Sequence, residues 1–353
     1  MVENDRMLYR HLGTAGVKVS ALSFGNWLTG HNAEMEESIF QCVDTCVRAG
    51  VYFLDTAELY GFGAGETMLG NILKRGGWPR DQLVISTKFI RSSFSPNPLH
   101  FGLSRKRLIQ AARKSLKCLG LDYVDIMFMH RPDPETPIEE SVRAMTHLIE
   151  KGKADYWGTS DFTAAELMMV YQVCDRLGLP YPVTEQPQYN MLWRERVEVE
   201  LGPLYDQFGL GTTVWSPLAG GLLSGKYNTA APPEGSRYID PSFPPFLRAK
   251  YEALFGEASK EKTCKMLQSL AAVATDLSCS QSQLCLAWTI ANKDVSTAIF
   301  GSTKPEQARE NLGALDVLPK LTPEILGKIE EILGNKPTPP INWRTWTPST
   351  PRR

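Results

Sequence analysis

Residues 123–160, YVDIMFMHRPDPETPIEESVRAMTHLIEKGKADYWGTS, contain two strand-like runs separated by a helix-like segment. Tyr123–His130 is a short and almost continuously apolar run, as expected of a strand that is covered on both faces. Ile138–Lys151 has helical periodicity and ends at Gly152, a residue type that commonly follows a helix. Asp155–Ser160 is a second strand-like run. This stretch therefore predicts one β-α-β unit.

The same alternation continues towards both ends of the chain. The predicted strands are Ala21–Trp27, Phe53–Ala57, Val84–Phe89, Tyr123–His130, Asp155–Ser160, Val183–Gln188, Thr212–Leu218 and Ser296–Gly301. The predicted helices are Ser38–Ala49, Thr67–Arg75, Ser104–Cys118, Ile138–Lys151, Thr163–Leu177, Glu195–Phe208 and Lys260–Asn292, the last holding one or two helices. Strands that alternate with helices in this number predict an α/β fold, a TIM (β/α)8 barrel. A doubly wound sheet is the alternative, but no G-x-G-x-x-G follows the first strand.

Three further segments do not follow the alternation. Residues 8–20 predict a short N-terminal hairpin that turns near Gly13–Gly16 and caps the barrel floor. Residues 226–251 contain five prolines and predict a long connection after the seventh strand. Residues 336–353 are rich in Pro and Thr, which predicts an extended tail. We therefore expect one domain over residues 1–335 and a C-terminal tail over residues 336–353.

The composition is typical of an ordinary globular protein and excludes several functional classes. Of 353 residues, 42% are hydrophobic and 22% charged, and the formal net charge of −1 gives no support for a nucleic-acid surface. The chain begins with a polar segment, and no apolar run approaches the roughly 20 residues that cross a bilayer, so we expect no membrane insertion. The seven cysteines form no C-x-x-C pair and indicate reduced thiols in a cytoplasmic protein. The five histidines show no metal spacing, so no metal is expected.

Four polar side chains are predicted to meet at one end of the barrel. The active site of a TIM barrel lies at the C-terminal ends of its strands, where this sequence places Asp55, Lys88 and His130. Tyr60 lies in the loop after the second strand. Taken singly, each has an ordinary structural explanation, such as a turn cap or a packed loop residue. Charged groups in apolar surroundings are costly unless they pair, however, so the four together indicate a functional site.

The motifs around these residues resemble the aldo-keto reductase family. FLDTAELYGFGAGETMLG, beginning at Phe53, matches two catalytic positions of the family with Asp55 and Tyr60. STKF places Lys88 on the third position, and FMHRPDPETPIEE places His130 on the fourth. Later blocks, GKADYWGTSDF, EQPQYNMLWRERVEVELGPL, WSPLAGGLLSGKY and GSTKPEQARENLGAL, match in order. The residues of these blocks are most similar to the branch that includes the voltage-gated potassium channel β subunits.

This resemblance implies NADPH-dependent reduction of an aldehyde or ketone to an alcohol. A hydride moves from the cofactor to the carbonyl carbon, and Tyr60 donates a proton to the carbonyl oxygen. The Lys88 ammonium is expected to lower the pKa of the Tyr60 phenol. Asp55 is expected to hold Lys88 charged and oriented, and His130 to hydrogen-bond the substrate carbonyl.

The resemblance also implies an NADP(H) site. Trp215 is expected to stack on the nicotinamide, and Ser160 and Gln186 to bind its carboxamide. Lys226 and Arg237 match the cations that would select the 2′-phosphate of NADPH. The matching cofactor positions are Trp27, Ser160, Gln186, Trp215, Ser216, Leu218, Gly220, Lys226, Arg237, Gly301, Thr303, Gln307, Glu310 and Asn311.

Two functions stay open at this stage. One is a reductase of a small carbonyl substrate; the other is an NADPH-binding regulatory β subunit of a voltage-gated potassium channel, with slow or vestigial reductase activity. His130 favours the reductase, because the channel β subunits commonly have Asn there. Asp161 departs from the family pattern of Asn or Arg, and an acid there would either weaken cofactor binding or simply point to solvent. The resemblance is compatible with a homo-oligomer and with a channel partner.

Overall fold

The computed structural model describes residues 6–27, 33–89, 97–229 and 245–339 and, singly, residues 233, 236 and 238. Its strands are β1 (Tyr9–His11), β2 (Lys18–Ser20), β3 (Leu22–Gly25), β4 (Phe53–Asp55), β5 (Val84–Phe89), β6 (Val124–Met129), β7 (Ala154–Ser160), β8 (Thr184–Gln186), β9 (Gly211–Trp215) and β10 (Thr297–Phe300). Strands β3 to β10 form a closed barrel in chain order. All neighbours are parallel, and β10 closes the ring by pairing with both β9 and β3. The predicted TIM barrel is confirmed.

A helical segment follows every barrel strand. The helices are α1 (Ala33–Arg48), α2 (Ala64–Gly76), α3 (Arg105–Leu119), α4 (Ile138–Glu150), α5 (Ala164–Leu177), α6 (Gly202–Phe208), α7 (Pro245–Phe255), α8 (Lys260–Asp276), α9 (Gln281–Ala291), α10 (Pro305–Leu312), α11 (Ala314–Val317) and α12 (Pro323–Leu333). Local capping sets several helix starts. The Ser104 side chain accepts from a backbone N–H of α3, and Thr163 forms a capping box with Glu166 at the start of α5.

Backbone chemistry explains where the structure departs from the predicted bounds. Strand β9 ends at Trp215 rather than Leu218 because Ser216 adopts a left-handed conformation, with φ of 56°. The predicted helix Glu195–Phe208 is a π-helical turn, Arg196–Glu200, followed by α6, which restarts with Pro203 in its first turn. Lys260–Asn292 consists of two helices. The predicted connection over 226–251 is too long, since α7 begins at Pro245.

The N-terminal hairpin of β1 and β2 covers the barrel floor, as predicted. Leu12 and Val19 pack with Phe53, Val84 and Ile126, at or near the beginnings of barrel strands. Gly13, with φ of +59°, makes the closest approach, because a Cβ there would lie 2.7 Å from the carbonyl oxygen of Gly209. The hairpin thus closes one end of the barrel, and the strand C-termini form the opposite end.

The described residues extend a short way beyond the last helix. Helix α12 is followed by residues 334–339 without regular structure, and residues 340–353 lie outside the described residues. The division into a domain over 1–335 and a tail over 336–353 therefore stays a prediction. None of the helices in the described ranges is long and apolar enough to cross a membrane.

Candidate active site

A cavity of about 510 Å³ lies at the C-terminal ends of the barrel strands. Its lining includes these predicted site residues: Trp27, Asp55, Tyr60, His130, Ser160, Gln186, Trp215, Ser216, Leu218, Gly220, Lys226, Gly301, Gln307, Glu310 and Asn311. Thr303 is outside the lining, where its carbonyl accepts a hydrogen bond from Ser38, and Arg237 lies outside the described residues. The volume falls within the roughly 300–1,000 Å³ typical of small-molecule sites.

Asp55, Lys88 and Tyr60 form a continuous chain of contacts behind one wall of the cavity. The Lys88 ammonium lies 2.5 Å from Asp55 Oδ2 and 2.9 Å from the Tyr60 hydroxyl, and it also donates to the carbonyl of Thr56 at 2.8 Å. Lys88 is fully buried, so these partners replace the water that an ammonium requires. Ser86 donates to Asp55 Oδ1 at 2.6 Å. The predicted pairing of these charged groups is present in the structure.

Burial controls the protonation of this chain. Desolvation raises the pKa of the Tyr60 phenol well above its usual value, and the Asp55 carboxylate adds to the increase. The Lys88 ammonium at 2.9 Å does not offset this increase, and its own lowering effect on the pKa of Tyr60 stays a prediction. Burial likewise lowers the pKa of the Lys88 ammonium, against the opposing attraction of Asp55. Tyr60 is consequently a neutral phenol with a proton to give at physiological pH.

The loop after β4 presents Tyr60 to the cavity. Tyr60 begins a 3-10 turn, Tyr60–Gly63, and its N–H donates to the carbonyl of Ala57. The turn folds back on Gly65, where an added Cβ would lie 2.9 Å from the Tyr60 Cβ. The Asn26 side chain donates to the Gly65 carbonyl at 2.8 Å and ties the loop to the end of β3. The position of the phenol thus depends on Gly65, five residues after Tyr60 in the chain.

His130 follows β6 and faces Tyr60. Its backbone N–H donates to Phe89, and the two rings meet edge to face with centroids 5.9 Å apart. Burial, together with the Arg131 and Lys88 cations, lowers the pKa of the imidazole well below its usual value, so the ring is neutral. Its Nδ1 is buried and has no hydrogen-bond partner among the described residues. A neutral imidazole in the cavity lining can donate one ring N–H to a polar ligand atom.

The segment after β9 provides a backbone surface on another part of the lining. Ser216 has a left-handed φ of 56°, and its side chain accepts from the N–H of Gly220 at 2.9 Å. Asn190 is fully buried and donates to the Ser216 carbonyl at 2.9 Å, which holds the turn in place. Lys226 lines the cavity just beyond this turn.

Sequence reasoning missed three residues that organise the site. Ser86 and Asn190 orient Asp55 and Ser216, respectively, and nothing in their motifs distinguishes them from ordinary buried polar residues. Arg131 lines the cavity and forms an ion pair with Asp161 at 3.0 Å. Arg131 therefore neutralises the acid at Asp161, and the expected effect of this acid on cofactor binding stays a prediction. The position of Arg131, directly after His130 at a strand end, was the available signal.

No group of three His, Cys, Asp or Glu side chains suited to a metal ion occurs in the described part of the chain. The site consists of a buried acid–base chain, a neutral imidazole, two tryptophans and a polar backbone turn. This arrangement can deliver a proton beside an aromatic, elongated ligand.

Comparison with known proteins identifies the family of this chain. The Aldo/keto reductase family model matches residues 21–333. A protein named "Probable voltage-gated potassium channel subunit beta" from Arabidopsis thaliana is 43% identical over 341 residues, covering 96% of this chain and 100% of that protein. A rice protein of the same name, from Oryza sativa subsp. japonica, is 42% identical over 332 residues, covering 94% of this chain and 98% of its own. A "Putative voltage-gated potassium channel subunit beta" from Schizosaccharomyces pombe is 44% identical over 333 residues, covering 93% of this chain and 94% of its own. The chain belongs to the aldo/keto reductase family.

Proposed function

We propose that this protein reduces an aldehyde or ketone to an alcohol with NADPH, using Tyr60 as the proton donor. Membership of the aldo/keto reductase family supports an oxidoreductase in general. The observation that carries the finer proposal is the contact of the Tyr60 hydroxyl with the Lys88 ammonium at 2.9 Å, on the wall of a cavity shared with His130.

The side chains divide the work of positioning and proton delivery. His130 donates a ring N–H to the carbonyl oxygen and places it against the Tyr60 hydroxyl. Tyr60 gives its proton as negative charge develops on that oxygen. Lys88 stabilises the resulting phenolate, and Asp55 keeps Lys88 oriented through the 2.5 Å contact. NADPH, when bound, supplies the hydride.

The cavity suits a nicotinamide dinucleotide. Trp215 and Trp27 offer aromatic faces, Ser160 and Gln186 offer hydrogen-bonding groups, and Ser216, Leu218 and Gly220 line the part of the cavity that a pyrophosphate would occupy. Gln307 and Asn311 line the part formed by α10, which suits an adenosine. Lys226 is the cation in this lining that would bind a 2′-phosphate.

The first experiment measures NADPH oxidation with an aromatic aldehyde in the wild type and in Tyr60→Phe. We expect the variant to lose at least about 100-fold in kcat, because general acid catalysis contributes roughly that much or more. The affinity of Tyr60→Phe for NADPH should equal that of the wild type within experimental error. Tyr9→Phe, a hydroxyl loss at the barrel floor, is the matched control and should keep full activity. Equal loss of turnover and cofactor affinity in Tyr60→Phe would remove the proposed role.

The preference for NADPH is tested at Lys226. Lys226→Met should weaken NADPH binding by about tenfold or more and leave NADH binding nearly unchanged, because a charge-assisted contact to the 2′-phosphate is lost. Fluorescence titration with both cofactors provides the two dissociation constants. Lys328→Met, on the surface of α12 and paired with Asp276, is the control. An equal loss of affinity for NADPH and NADH would show that Lys226 does not select the 2′-phosphate.

A second function, regulation of a potassium channel, is favoured by the names of the relatives. Three proteins that match over nearly their full lengths are named as channel β subunits, at 42–44% identity. In this role the chain would bind a channel partner, as a homo-oligomer that matches the symmetry of the channel. The test is co-purification with the tetramerisation domain of a voltage-gated potassium channel, with light scattering to count subunits. Tight NADPH binding, channel capture and no aldehyde turnover would favour regulation over catalysis.

A further inference from the structure

Arg131 brings a cation to the part of the cavity where the proposed reaction takes place. It follows His130 at the end of β6, lines the cavity, and keeps 35% of its side chain exposed. Its guanidinium donates to Ser160 Oγ at 2.9 Å and to the His130 carbonyl at 2.5 Å. An arginine in this place would ordinarily attract a carboxylate or phosphate on the ligand.

Asp161 counters that cation from behind the cavity wall. One oxygen of Asp161 lies 3.0 Å from Arg131 Nη2, and the other accepts from the Trp215 indole at 3.4 Å. The acid follows β7 and has a left-handed φ of 53°, a conformation that Asp and Asn tolerate better than most residues. Both charges act on the pKa of Tyr60, less than burial does and in opposite directions, so both lie within electrostatic reach of the phenol.

The charges at this part of the cavity balance. Among the described lining residues near Tyr60 and His130, the charged side chains are Asp55 and Arg131, and each has an oppositely charged partner. Trp27, Leu59 and Trp215 add aromatic and aliphatic surface there, and Ser160 and Gln186 add uncharged polar groups. An anionic substrate would meet the Asp161 carboxylate as well as Arg131, and would compete with Asp161 for the Nη2 donor.

We propose that Asp161 is a specificity-determining residue that, by pairing with Arg131, makes the site select uncharged carbonyl substrates over those that carry a carboxylate. The inference rests on the proposed reductase function for its kinetic test. It predicts a latent anion site, because the guanidinium becomes available when its charged partner is removed.

The replacement Asp161→Asn changes charge with little change in shape. Asn tolerates the same left-handed backbone and keeps an oxygen for the Trp215 indole. Asp125→Asn is the matched control. Asp125 also pairs with an arginine, Arg80 at 2.6 Å, but it lies near the barrel floor, away from the cavity. The double variant Asp161→Asn/Arg131→Met then removes the cation that the first replacement exposes.

The experiment compares kcat/KM for 4-carboxybenzaldehyde and 4-methylbenzaldehyde with the NADPH-loaded enzyme. The kcat/KM for the acid-bearing aldehyde, divided by that for the uncharged aldehyde, should rise at least about tenfold in Asp161→Asn. This rise is equivalent to about 1.4 kcal/mol of discrimination. The ratio should stay at the wild-type value in Asp125→Asn and return towards that value in the double variant. An unchanged ratio in Asp161→Asn, or an equal gain for both aldehydes, overturns the proposal.

A binding measurement separates this inference from the reductase function. Calorimetric titration of the NADP-loaded protein with benzoate and with benzyl alcohol requires no turnover. Benzoate should bind at least about tenfold more tightly to Asp161→Asn than to the wild type. Benzyl alcohol should bind equally tightly to both proteins. If neither aldehyde is reduced but benzoate binding tightens, the reductase function fails and the charge-pair inference stands. If benzoate binding does not change, the inference falls whatever the kinetics show.

Discussion

The buried pair of Asp55 and Lys88 leads to the sharpest prediction about stability. The replacement Asp55→Asn keeps the shape of the side chain and removes its charge. Lys88 is fully buried, so its ammonium would lose its counter-ion without gaining water. The amide also places a donor or a weaker acceptor where the carboxylate now accepts from Lys88 at 2.5 Å and from Ser86 at 2.6 Å.

The expected cost follows from the burial of both partners. Removing one member of a buried ion pair costs about 3–5 kcal/mol, because an uncompensated charge remains in the interior. Asp55 is 3% exposed and Lys88 0% exposed, so solvent screening does not reduce this figure. Lys88 can escape part of the penalty by releasing its proton.

Because Lys88 can release its proton, the loss of stability in Asp55→Asn depends on pH. Burial already lowers the pKa of Lys88, and the loss of Asp55 lowers it further, whereas the lysine of the unfolded chain ionises near about 10.4. Between the folded and unfolded values the unfolded state binds more protons, so stability rises with pH. In the variant, the pH range over which stability rises begins at a lower pH, because the folded-state pKa of Lys88 is lower. The difference in unfolding free energy between wild type and Asp55→Asn is therefore largest in mildly acidic solution and narrows towards alkaline pH.

Urea unfolding of both proteins across a pH series measures this difference. Asp44→Asn, which breaks an exposed pair with Arg48 on α1, is the control and should cost no more than about 1 kcal/mol. The double variant Asp55→Asn/Lys88→Met should recover much of the loss because it removes the stranded cation. A loss below about 1 kcal/mol in Asp55→Asn, or one that widens with rising pH, would refute the reasoning.

Two other predictions concern groups away from the proposed chemistry. Leu12→Ala empties a fully buried position in the floor hairpin and should cost about 2–5 kcal/mol in urea unfolding without changing kcat; a parallel loss of activity would contradict the separation of floor and site. Burial raises the pKa of the Glu185 carboxyl from its ordinary 4.5 to about 8, so the folded state binds the extra proton and stability should fall as pH rises between these values. Glu185→Gln should flatten this slope in a pH series of thermal unfolding, and an equally steep slope in the variant would assign the effect to other groups.

The periodic pattern of the sequence predicts the barrel because parallel strands covered on both faces are short and continuously apolar. It predicts β5 and α3 almost to the residue, since Ser104 caps the helix locally. It is less accurate where the backbone turns abruptly. The left-handed Ser216 and the proline at position 203 end or divide elements that periodicity alone extends.

The motifs also place Asp55, Tyr60, Lys88 and His130 at one end of the barrel, because every strand of a TIM barrel points its C-terminus the same way. They do not reveal the pairing of Arg131 with Asp161, which follow the neighbouring strands β6 and β7 and approach only when these strands pair in register.

By itself, the sequence determined the order of strands and helices, the family and the identities of the four polar residues, since these depend on local periodicity and on contiguous motifs. Tertiary structure alone decided the protonation of Tyr60, the neutralisation of Asp161 and the support that Asn190 gives to Ser216. The reason is physical: desolvation, ion pairing and long-range hydrogen bonds depend on distances between segments that are remote in the chain.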